Sequence, residues 1–498
     1  MSASLRQLLD GLVVVPERLE RSIDGITMDS RRVQPGGLFL ACAGSRSHGA
    51  SFIEEAVHRG ARAIVVETEG QPRIDAIQLP AGEVPVLGIP ELRRQAGLIG
   101  ARFYGEPSRH MPVIGVTGTN GKTSVSQFIA HALAVDAPAG VIGTLGNGLV
   151  SQLESTGHTT PDAVSVQATL ADLLAAGARA VVMEVSSHGL DQGRVNGVQF
   201  EVAVFTNLTH EHLDYHGDMA SYAAAKRLLF QVPDLRAAAL NLDDAVGREW
   251  HAQLAGKLRV LGFGLDASFA PEVSARDLRL GPEGIAFEAV TPTGVAHIES
   301  PLIGRFNASN LLAALSVLLL LGMAPDVAAE RLSRLRAVPG RMERFGGGAG
   351  RPMAVVDYAH TPDALEQVLM AARAHTRGRL VCVFGCGGDR DRGKRPIMGK
   401  VAERLADQVV VTDDNPRSED PEFIVEEITR GMTHPERAQL IRDRARAIHA
   451  ALAQAGPDDV VLVAGKGHET EQHIGDRKLL FSDRVEVSRF FGEEVLHG

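Results

Sequence analysis

Short apolar runs alternate with amphipathic segments along most of the chain, and this pattern predicts the fold. The runs are rich in Val and Ala, and most of them end in a turn that contains Gly, Ser, Thr or Asp. Fully apolar runs of this length are typical of parallel strands that helices cover on both faces. The pattern therefore predicts an α/β fold in which right-handed βαβ crossovers build mostly parallel sheets.

The arrangement of apolar runs and amphipathic segments changes at two places along the chain. In a chain of 498 residues, this predicts three domains. Residues 1–88 form a small N-terminal α/β domain, residues 89–338 a central domain with a mostly parallel sheet, and residues 339–498 a Rossmann-like C-terminal domain. The predicted strands are 37–42, 63–67, 84–88, 112–117, 180–185, 202–206, 237–241, 353–357, 380–384, 408–412 and 459–463. Open sheets bind ligands beyond the carboxyl ends of their strands, so function is expected in the loops that follow.

Composition excludes several classes of function. The net charge of −10 argues against a general binder of nucleic acid or of membrane surfaces. The cysteines Cys42, Cys382 and Cys386 lack metal-ligand spacing and indicate a reducing compartment. The N-terminus lacks a signal-peptide pattern, and the longest apolar run, 311–323, is too short to span a bilayer. We therefore expect a cytoplasmic enzyme without a nucleic-acid or membrane partner. We also expect it to act on small molecules and to be a monomer.

A Gly-rich segment, Gly118–Ser124, lies between a predicted central strand and an amphipathic helix. Glycines permit a tight turn, the helix N-terminus holds phosphate oxygens, and Lys122 neutralises the terminal phosphates. The Thr123 hydroxyl can bind Mg²⁺. Val116 stands where the standard P-loop pattern has its first Gly, so the segment matches only a shorter form. A Gly-rich turn with a surface lysine is the alternative, but the context favours nucleotide binding and a central sheet of the P-loop ATPase type.

Acidic and imidazole side chains follow the next central strands. Glu184 ends one strand and can hold Mg²⁺ at the nucleotide edge, with an arginine pair as the alternative. Residues 210–216 contain three histidines and two acids, but their spacing matches no zinc signature. We interpret His212 as a ligand of a second Mg²⁺, with helix capping as the alternative. Lys226 lies on an Ala-rich helical face and by itself has the pattern of a solvated lysine.

Five segments in chain order together resemble the Mur ligases, the ATP-dependent cytoplasmic enzymes that add amino acids to the peptidoglycan precursor. These segments are Gly118–Thr123, Asn207–Asp214, Gly304–Asn310, Pro339–Glu343 and Asp357–Asp363. The resemblance covers essentially the whole chain. Their joint occurrence in this order is far more specific than any one motif.

Further segments resemble the members of this family that add the third amino acid. They are Asp29–Arg31, His158–Thr160, Val185–Leu190, Gly385–Arg390 and Gly465–Glu469. The segment Asp414–Arg417 resembles the motif of members that select meso-diaminopimelate, whereas lysine-adding members typically differ at the Arg position. Diaminopimelate carries a second carboxylate, which the planar guanidinium of Arg417 can bind. A site built for that pair should reject lysine, because Arg417 would lose its partner.

The resemblance implies the ATP-dependent addition of meso-2,6-diaminopimelate to the D-glutamate side-chain carboxylate of UDP-N-acetylmuramoyl-L-alanyl-D-glutamate, through an acyl phosphate. It also implies two Mg²⁺ ions and ATP as a co-substrate. The implied catalytic residues are Lys122, Glu184, His212 and Lys226. Of these, Lys226 would be carbamylated to N6-carboxylysine, and the metal sites would be formed by Thr123, Glu184, His212 and Lys226.

The resemblance also assigns three sets of binding residues. The ATP set is Gly118, Thr119, Asn120, Gly121, Lys122, Thr123, Ser124, Asn307, Asn310, Arg341, Asp357 and His360. The UDP-substrate set is Met28, Ser30, Ser45, Arg46, Ser47, Thr159, Thr160, Ser186, Gln192 and Arg194. The diaminopimelate set is Arg390, Asp414, Asn415, Pro416, Arg417, Gly465 and Glu469.

Three other functions remain open at this point. The chain could add L-lysine instead of diaminopimelate, or it could be a ligase similar to folylpolyglutamate synthetase, which shares the P-loop and the sheet plan. Such a ligase should lack both the Asp414–Arg417 motif and the N-terminal UDP-type domain. A non-catalytic nucleotide-dependent regulator is the third possibility, although such a protein has no need for two metal sites and an amine pocket.

Overall fold

The structure is a computed structural model that describes residues 2–44, 48–79, 82–155, 157–209, 211–348 and 350–493. The contacts within the chain divide it into two compact units. The first contains residues 1–262 and 316–321, and the second contains residues 263–315 and 322–498.

The first unit begins with a five-stranded sheet. Its strands follow the order Gly25–Thr27, Gly37–Ala41, Ala63–Thr68, Gly82–Pro90 and Arg73–Leu79. The first four strands are parallel and the last is antiparallel. Leu38, Leu40, Val65 and Leu87 are fully buried where this sheet packs against the helix Leu92–Phe103. The helix Ile53–His58 completes this region.

A second sheet in the first unit carries the predicted nucleotide loop. Within the first unit, its strands follow the order Gln152–Glu154, Gly146–Leu149, Ala139–Gly143, Ala180–Glu184, Val113–Thr117, Val202–Phe205, Ala237–Asn241 and the beginning of Arg259–Gly264. The ladders from Ala139–Gly143 to Ala237–Asn241 are parallel. Val116 is paired with both Glu184 and Val204, so the loops after these three strands meet at one edge of the sheet. The helices of this region are Lys122–Leu133, Ala163–Ala175, Ser187–Asp191, Leu213–His216, Met219–Arg227 and Ala245–Leu254.

The second unit contains three antiparallel strands and a six-stranded sheet. The antiparallel strands are Val273–Gly281, Gly284–Thr291 and Gly294–Ser300. The six-stranded sheet follows the order Glu343–Gly346, Met353–Asp357, Val460–Ala464, Leu380–Phe384, Gln408–Val411 and Gln439–Leu440. All its ladders are parallel except the first. Its helices are Pro362–Arg373, Lys394–Leu405, Pro421–Thr429, Arg444–Gln454 and Asp483–Phe491, and a hairpin joins Glu471–Ile474 to Arg477–Leu480.

The α/β fold with mostly parallel sheets is confirmed, and every predicted strand is present within about two residues at its ends. Residues 311–320 of the apolar run are buried in the helix Arg305–Leu320, and residues 321–323 follow the end of this helix. The antiparallel strands between 273 and 300 were not predicted, because polar residues interrupt their apolar positions in alternation. In the described part of the chain, no helix is both long and apolar enough to cross a membrane. The boundaries 1–88, 89–338 and 339–498 stay a prediction.

Candidate active site

The predicted phosphate loop joins the strand Val113–Thr117 to the helix Lys122–Leu133. Gly118 has a φ of 150° and Gly121 a φ of 87°, a region of backbone space that favours glycine. A Cβ atom on Gly118 would lie 1.9 Å from the Thr206 hydroxyl oxygen, so this position also requires the absence of a side chain. The ammonium group of Lys122 donates to the carbonyl oxygens of Gly118 at 2.9 Å and Thr119 at 2.8 Å. The lysine is therefore folded over the loop whose phosphate it is predicted to neutralise.

Glu184 is buried at the end of its strand, with 1% of its surface exposed. Its Oε2 accepts from the Thr123 hydroxyl at 2.9 Å and from the Thr144 hydroxyl at 3.1 Å, and its Oε1 accepts from the Thr144 amide at 2.8 Å. Among the described residues, these hydroxyl and amide groups are the hydrogen-bond partners of the Glu184 carboxylate. The alternative, in which Glu184 pairs with an arginine, does not describe these contacts. A carboxylate beside the first-turn threonine of a phosphate loop is a suitable donor set for Mg²⁺.

Lys226 is not the solvated lysine that its local sequence suggests. Only 1% of the residue is exposed, and its Nζ donates to the carbonyl oxygen of Gly118 at 2.8 Å. The Nζ also lies 4.3 Å from the ring centroid of Tyr222. Burial, reinforced by the positive charge of Lys122, lowers the pKa of Lys226 to about 6, although Glu211 acts in the opposite direction. At neutral pH most of this amine is uncharged and can act as a nucleophile.

The predicted histidine segment contributes to a cluster of aromatic rings beside Lys226. His188 lies 4.9 Å from His212, 4.2 Å from Tyr215 and 5.4 Å from His216, measured between ring centroids. His212 has a φ of 57° and precedes the short helix Leu213–His216. The described residues contain no group of three or more His, Cys, Asp or Glu side chains placed to hold a metal. The role of His212 as a Mg²⁺ ligand stays a prediction.

Five residues of the predicted UDP-substrate set lie next to Glu184. Thr160 donates to the Glu184 carbonyl oxygen at 3.0 Å and accepts from the Ser186 amide at 3.0 Å. The guanidinium of Arg194 donates to the Thr160 carbonyl oxygen at 2.7 Å and to the Gln192 side chain. Thr159 shares a hydrogen bond of 3.0 Å with the Thr144 hydroxyl, which itself reaches Glu184. The structure thus brings these five predicted residues together at the edge that carries the phosphate loop.

The predicted contacts for the UDP end lie in the N-terminal sheet region. The Ser30 hydroxyl is buried and donates to a carboxylate oxygen of Glu55 at 2.6 Å. Met28 is half-buried and packs against the core of that region. Ser45, Arg46 and Ser47 lie outside the described residues.

In the second unit, the predicted ATP residues fall into two groups. Asn307 and Asn310 are buried on the helix Arg305–Leu320 and are joined by a hydrogen bond of 2.9 Å. Asp357 is buried at the end of the strand Met353–Asp357 and accepts from the amides of Met342 and Ala359, both at 2.8 Å. Burial raises the pKa of Asp357, although Arg341 acts in the opposite direction.

Arg341 and His360 meet at the ring of Tyr358. The Arg341 guanidinium lies 4.8 Å from the Tyr358 ring centroid, and the exposed His360 ring lies 4.7 Å from it. Arg341 and Asp357 also interact electrostatically, as the pKa of Asp357 shows. Two separate motifs, Pro339–Glu343 and Asp357–Asp363, supplied Arg341, Asp357 and His360, and the three residues share one neighbourhood.

The predicted amino-acid pocket is built from the ends of neighbouring strands in the six-stranded sheet. Asp414, Asn415 and Pro416 are buried after the strand Gln408–Val411. Gly465 has a φ of 121°, and a Cβ atom there would lie 2.7 Å from a carboxylate oxygen of Asp414. This position therefore favours glycine both for its backbone conformation and for the close approach of the carboxylate.

The two predicted arginines of this pocket differ in exposure. Arg417 is half-buried, has a φ of 52°, and donates to the Gly388 carbonyl oxygen at 2.7 Å. Arg390 is exposed and donates to the Asp389 carbonyl oxygen at 3.0 Å. Glu469 accepts a hydrogen bond from the Asn415 side chain at 3.0 Å, so two members of the predicted diaminopimelate set are in contact.

Sequence reasoning missed three buried cations that support this pocket. Arg395 is fully buried and forms ion pairs with Glu419 and Glu427. Its hydrogen bond to Glu419 is the main reason why the pKa of Glu419 is lowered to about 2. Arg444 is fully buried and bonds Asp483 through two contacts of 2.7 Å. Lys466 is the third. Arg395 and Arg444 have no local pattern that distinguishes them from exposed cations, and Lys466 lies within the segment Gly465–Glu469 but was assigned no role there.

Comparisons with known proteins agree with this geometry. Three family models match the chain: the Mur ligase family catalytic domain over residues 22–104, the Mur ligase middle domain over residues 116–318, and the Mur ligase glutamate ligase domain over residues 340–467. A relative from Alkalilimnicola ehrlichii, UDP-N-acetylmuramoyl-L-alanyl-D-glutamate--2,6-diaminopimelate ligase, is 52% identical over 98% of this chain and 99% of its own length.

Solved structures show the same similarity. A structure of UDP-N-acetylmuramoyl-L-alanyl-D-glutamate--2,6-diaminopimelate ligase matches 99% of both chains with a TM-score of 0.74 and 36% sequence identity. A Mycobacterium tuberculosis folylpolyglutamate synthase shares the fold at 21% identity and a TM-score of 0.60, but covers only 75% of this chain and 92% of its own. The resemblance stated from the motifs is confirmed by the family models and by near-complete coverage at high identity. The chain belongs to the Mur ligase family.

Proposed function

We propose that the chain is an ATP-dependent ligase that joins meso-2,6-diaminopimelate to the D-glutamate side-chain carboxylate of UDP-N-acetylmuramoyl-L-alanyl-D-glutamate, in peptidoglycan synthesis. The observation that carries the proposal is the convergence of Lys122 and Lys226 on the carbonyl oxygen of Gly118, beside the Thr123–Glu184 pair. This arrangement combines a phosphate loop, a metal-type carboxylate and a reactive amine. The relative that is 52% identical over nearly its full length bears the name of this reaction.

The reaction needs ATP because a free carboxylate and an amine do not condense readily in water. A carboxylate oxygen of the substrate attacks the γ-phosphorus of ATP. The bond between the γ-phosphorus and the oxygen that leaves with ADP breaks, and an acyl phosphate forms. The amino group of diaminopimelate then attacks the acyl carbon, loses a proton, and displaces inorganic phosphate. The contribution of the protein to both steps is positioning and charge neutralisation. Lys122 and the backbone amides of the phosphate loop would hold the terminal phosphates.

The residues at this edge fit Mg²⁺. The Thr123 hydroxyl and the Glu184 carboxylate lie 2.9 Å apart and are the oxygen donors that this cation prefers. Bound Mg²⁺ would neutralise charge on the phosphates of ATP. His212 and carbamylated Lys226 would hold a second ion beside the first.

The environment of Lys226 suits carbamylation. An uncharged amine attacks the carbon of CO₂, a C–N bond forms, one C–O double bond becomes a single bond, and the nitrogen releases a proton. The product is an anionic carbamate, whose oxygens can bind a cation that an ammonium group would repel. A lysine with a pKa of about 6 supplies the uncharged amine at neutral pH.

The remaining predicted residues keep their roles under this proposal. Thr159, Thr160, Ser186, Gln192 and Arg194 would hold the peptide and sugar, and Met28, Ser30 and Ser45–Ser47 the UDP end. Asn307, Asn310, Arg341, Asp357 and His360 would contact ATP. Arg390, Asp414, Asn415, Pro416, Arg417, Gly465 and Glu469 would bind diaminopimelate. The proposal also includes a cytoplasmic monomer with the domain boundaries 1–88, 89–338 and 339–498.

Diaminopimelate is favoured over lysine by Arg417. Its guanidinium is anchored to the carbonyl oxygen of Gly388 while the rest of its planar donor set can receive a carboxylate. Lysine would leave those donors without that partner.

A folylpolyglutamate-synthetase-like ligase is disfavoured because the matching synthase covers only 75% of this chain. A non-catalytic regulator is disfavoured because it would not need a buried amine on the phosphate loop.

A product assay tests the proposal. Purified protein is incubated with UDP-N-acetylmuramoyl-L-alanyl-D-glutamate, ATP, Mg²⁺ and one amino acid from a panel that includes meso-diaminopimelate and L-lysine. Mass spectrometry should detect the tripeptide product with diaminopimelate, together with one phosphate released per product. Product with lysine alone would overturn the choice of amino acid. The absence of both product and phosphate would overturn the ligase.

A further inference from the structure

Lys466 is fully buried in the predicted amino-acid pocket, yet none of the binding sets above includes it. None of its side chain is exposed. The ammonium group donates to Asn415 Oδ1 at 3.0 Å, to Glu469 Oε2 at 2.7 Å and to the Glu471 carbonyl oxygen at 2.7 Å. An ammonium group has three N–H donors, so these contacts use all of them. A buried cation that is satisfied in this way is fixed in place.

These contacts determine which way the Asn415 amide points. Its Oδ1 faces two groups that can only donate, the Lys466 ammonium at 3.0 Å and the His473 backbone amide at 2.9 Å. The amide nitrogen must therefore be on the other side, where it donates to Glu469 Oε2 at 3.0 Å. Without the Lys466 ammonium, one of the two donors that enforce this orientation is lost.

The same contacts hold one oxygen of Glu469 and leave the other available. Oε2 accepts from both Lys466 and Asn415. Oε1 has no hydrogen-bond partner within the described part of the chain, and the side chain is 32% exposed. Glu469 is thus a carboxylate with one oxygen anchored to the protein and one oxygen open to a ligand.

We propose that Lys466 is a positioning residue for the amino-acid substrate. Its ammonium group orders Asn415 and Glu469 so that the open carboxylate oxygen of Glu469 accepts from the ammonium group of the incoming amino acid. The inference rests on the proposed function, because it concerns the pocket of that same reaction. Lys466 acts through Asn415 and Glu469 and does not touch the substrate itself.

A double-mutant cycle tests the inference. The kinetics of wild type, Lys466→Met, Glu469→Gln and the double variant are measured with diaminopimelate, ATP and the UDP-dipeptide varied in turn. Lys466→Met should raise the KM for diaminopimelate about 10- to 100-fold, because it removes a charge-assisted hydrogen bond from a substrate-binding acid. The KM values for ATP and the UDP-dipeptide should stay within about twofold. Because Lys466 acts through Glu469, the double variant should be no more than about twofold worse than Glu469→Gln.

Lys478→Met is the matched control. This lysine lies on the neighbouring strand of the Glu471–Leu480 hairpin, is 65% exposed, and contacts the Glu471 side chain at 3.4 Å. Its removal should leave all three KM values unchanged. Thermal unfolding checks that each variant is folded, and Lys466→Gln replaces Lys466→Met in the cycle if the latter does not fold.

Two outcomes would overturn the inference. One is a folded Lys466 variant whose KM for diaminopimelate equals that of wild type. The other is a double variant in which the effects of the two single changes multiply, since independent effects exclude action through Glu469. Both outcomes leave a working wild-type ligase. A wild type that makes no tripeptide product would instead overturn the proposed function and, with it, this inference.

Discussion

Among the described residues, two lysines are buried almost completely, and their surroundings give them opposite chemistry. Lys226, on the helix Met219–Arg227, contacts a carbonyl oxygen of the phosphate loop and an aromatic ring, and the cation Lys122 is nearby. Lys466 lies in the amino-acid pocket with three acceptors, one of which is the carboxylate of Glu469. The first environment favours the uncharged amine, and the second is built for an ammonium ion.

The comparison shows that burial alone does not determine what a lysine does. Transfer from water penalises the charged form at both positions, but only Lys466 has an anion in contact to offset that penalty. Lys226 instead has a like charge nearby, which adds to the penalty. We therefore expect Lys226 to be modified by an electrophile and Lys466 to remain a structural cation.

The largest expected effect comes from removing the reactive amine. Lys226→Ala should lower kcat for tripeptide synthesis by at least about 100-fold, because the substitution removes the amine on which the anionic carbamate would form beside the phosphate loop. A steady-state assay of phosphate release measures this loss. Lys257→Ala, at an exposed lysine of the same unit, is the control and should retain wild-type activity. Wild-type activity in the Lys226 variant would remove the carbamate from the mechanism.

A smaller effect is expected when a cation of the amino-acid pocket is changed without loss of charge. Arg417→Lys should raise the KM for diaminopimelate about 10- to 100-fold, because lysine cannot reproduce a planar, two-pronged contact with a carboxylate. The preference for diaminopimelate over lysine should narrow by a similar factor in competition assays read by mass spectrometry. Arg430→Lys, at an exposed arginine of the same unit, should change neither value. An unchanged preference would place the selectivity elsewhere in the pocket.

The smallest expected effect concerns stability and pH. The pKa of Lys226 is about 6 in the folded protein against 10.5 for an ordinary lysine, so the unfolded chain binds more protons between these values. The contribution of Lys226 to the free energy of unfolding therefore rises with pH from about 6 to 10.5 and is fully lost below pH 6. Lys226→Met should be more stable than wild type by on the order of 1 kcal/mol at neutral pH, in CO₂-free buffer.

Denaturant unfolding at several pH values measures this difference. The advantage of the Lys226→Met variant should be largest near pH 6 and should shrink toward pH 10.5. A difference that does not vary with pH would show that Lys226 titrates as an ordinary lysine.

Local sequence was sufficient for the parts of the site that follow directly from a strand. Gly118–Ser124 and Glu184 both come immediately after fully apolar runs, and the carboxyl ends of parallel strands meet at one edge. The antiparallel strands between 273 and 300 were missed because each has one half-exposed face and therefore no continuous apolar run. Arg444 was missed because nothing near it in the sequence shows that Asp483, 39 residues away, is its partner.

What the sequence determined by itself is the order of apolar runs and turns, the phosphate-loop motif and membership of the family. Those features depend on neighbouring residues, and the physics of strands and loops is local enough to be read from them. Only the tertiary structure decided the charge of Lys226, because its carbonyl partner, Gly118, is 108 residues distant and its pKa depends on burial. The same holds for Lys466, whose role depends on Asn415, 51 residues earlier in the chain. The electrostatic environment of a side chain depends on the groups that the fold brings close to it in space. The distance between two residues along the sequence does not show whether they are close in space.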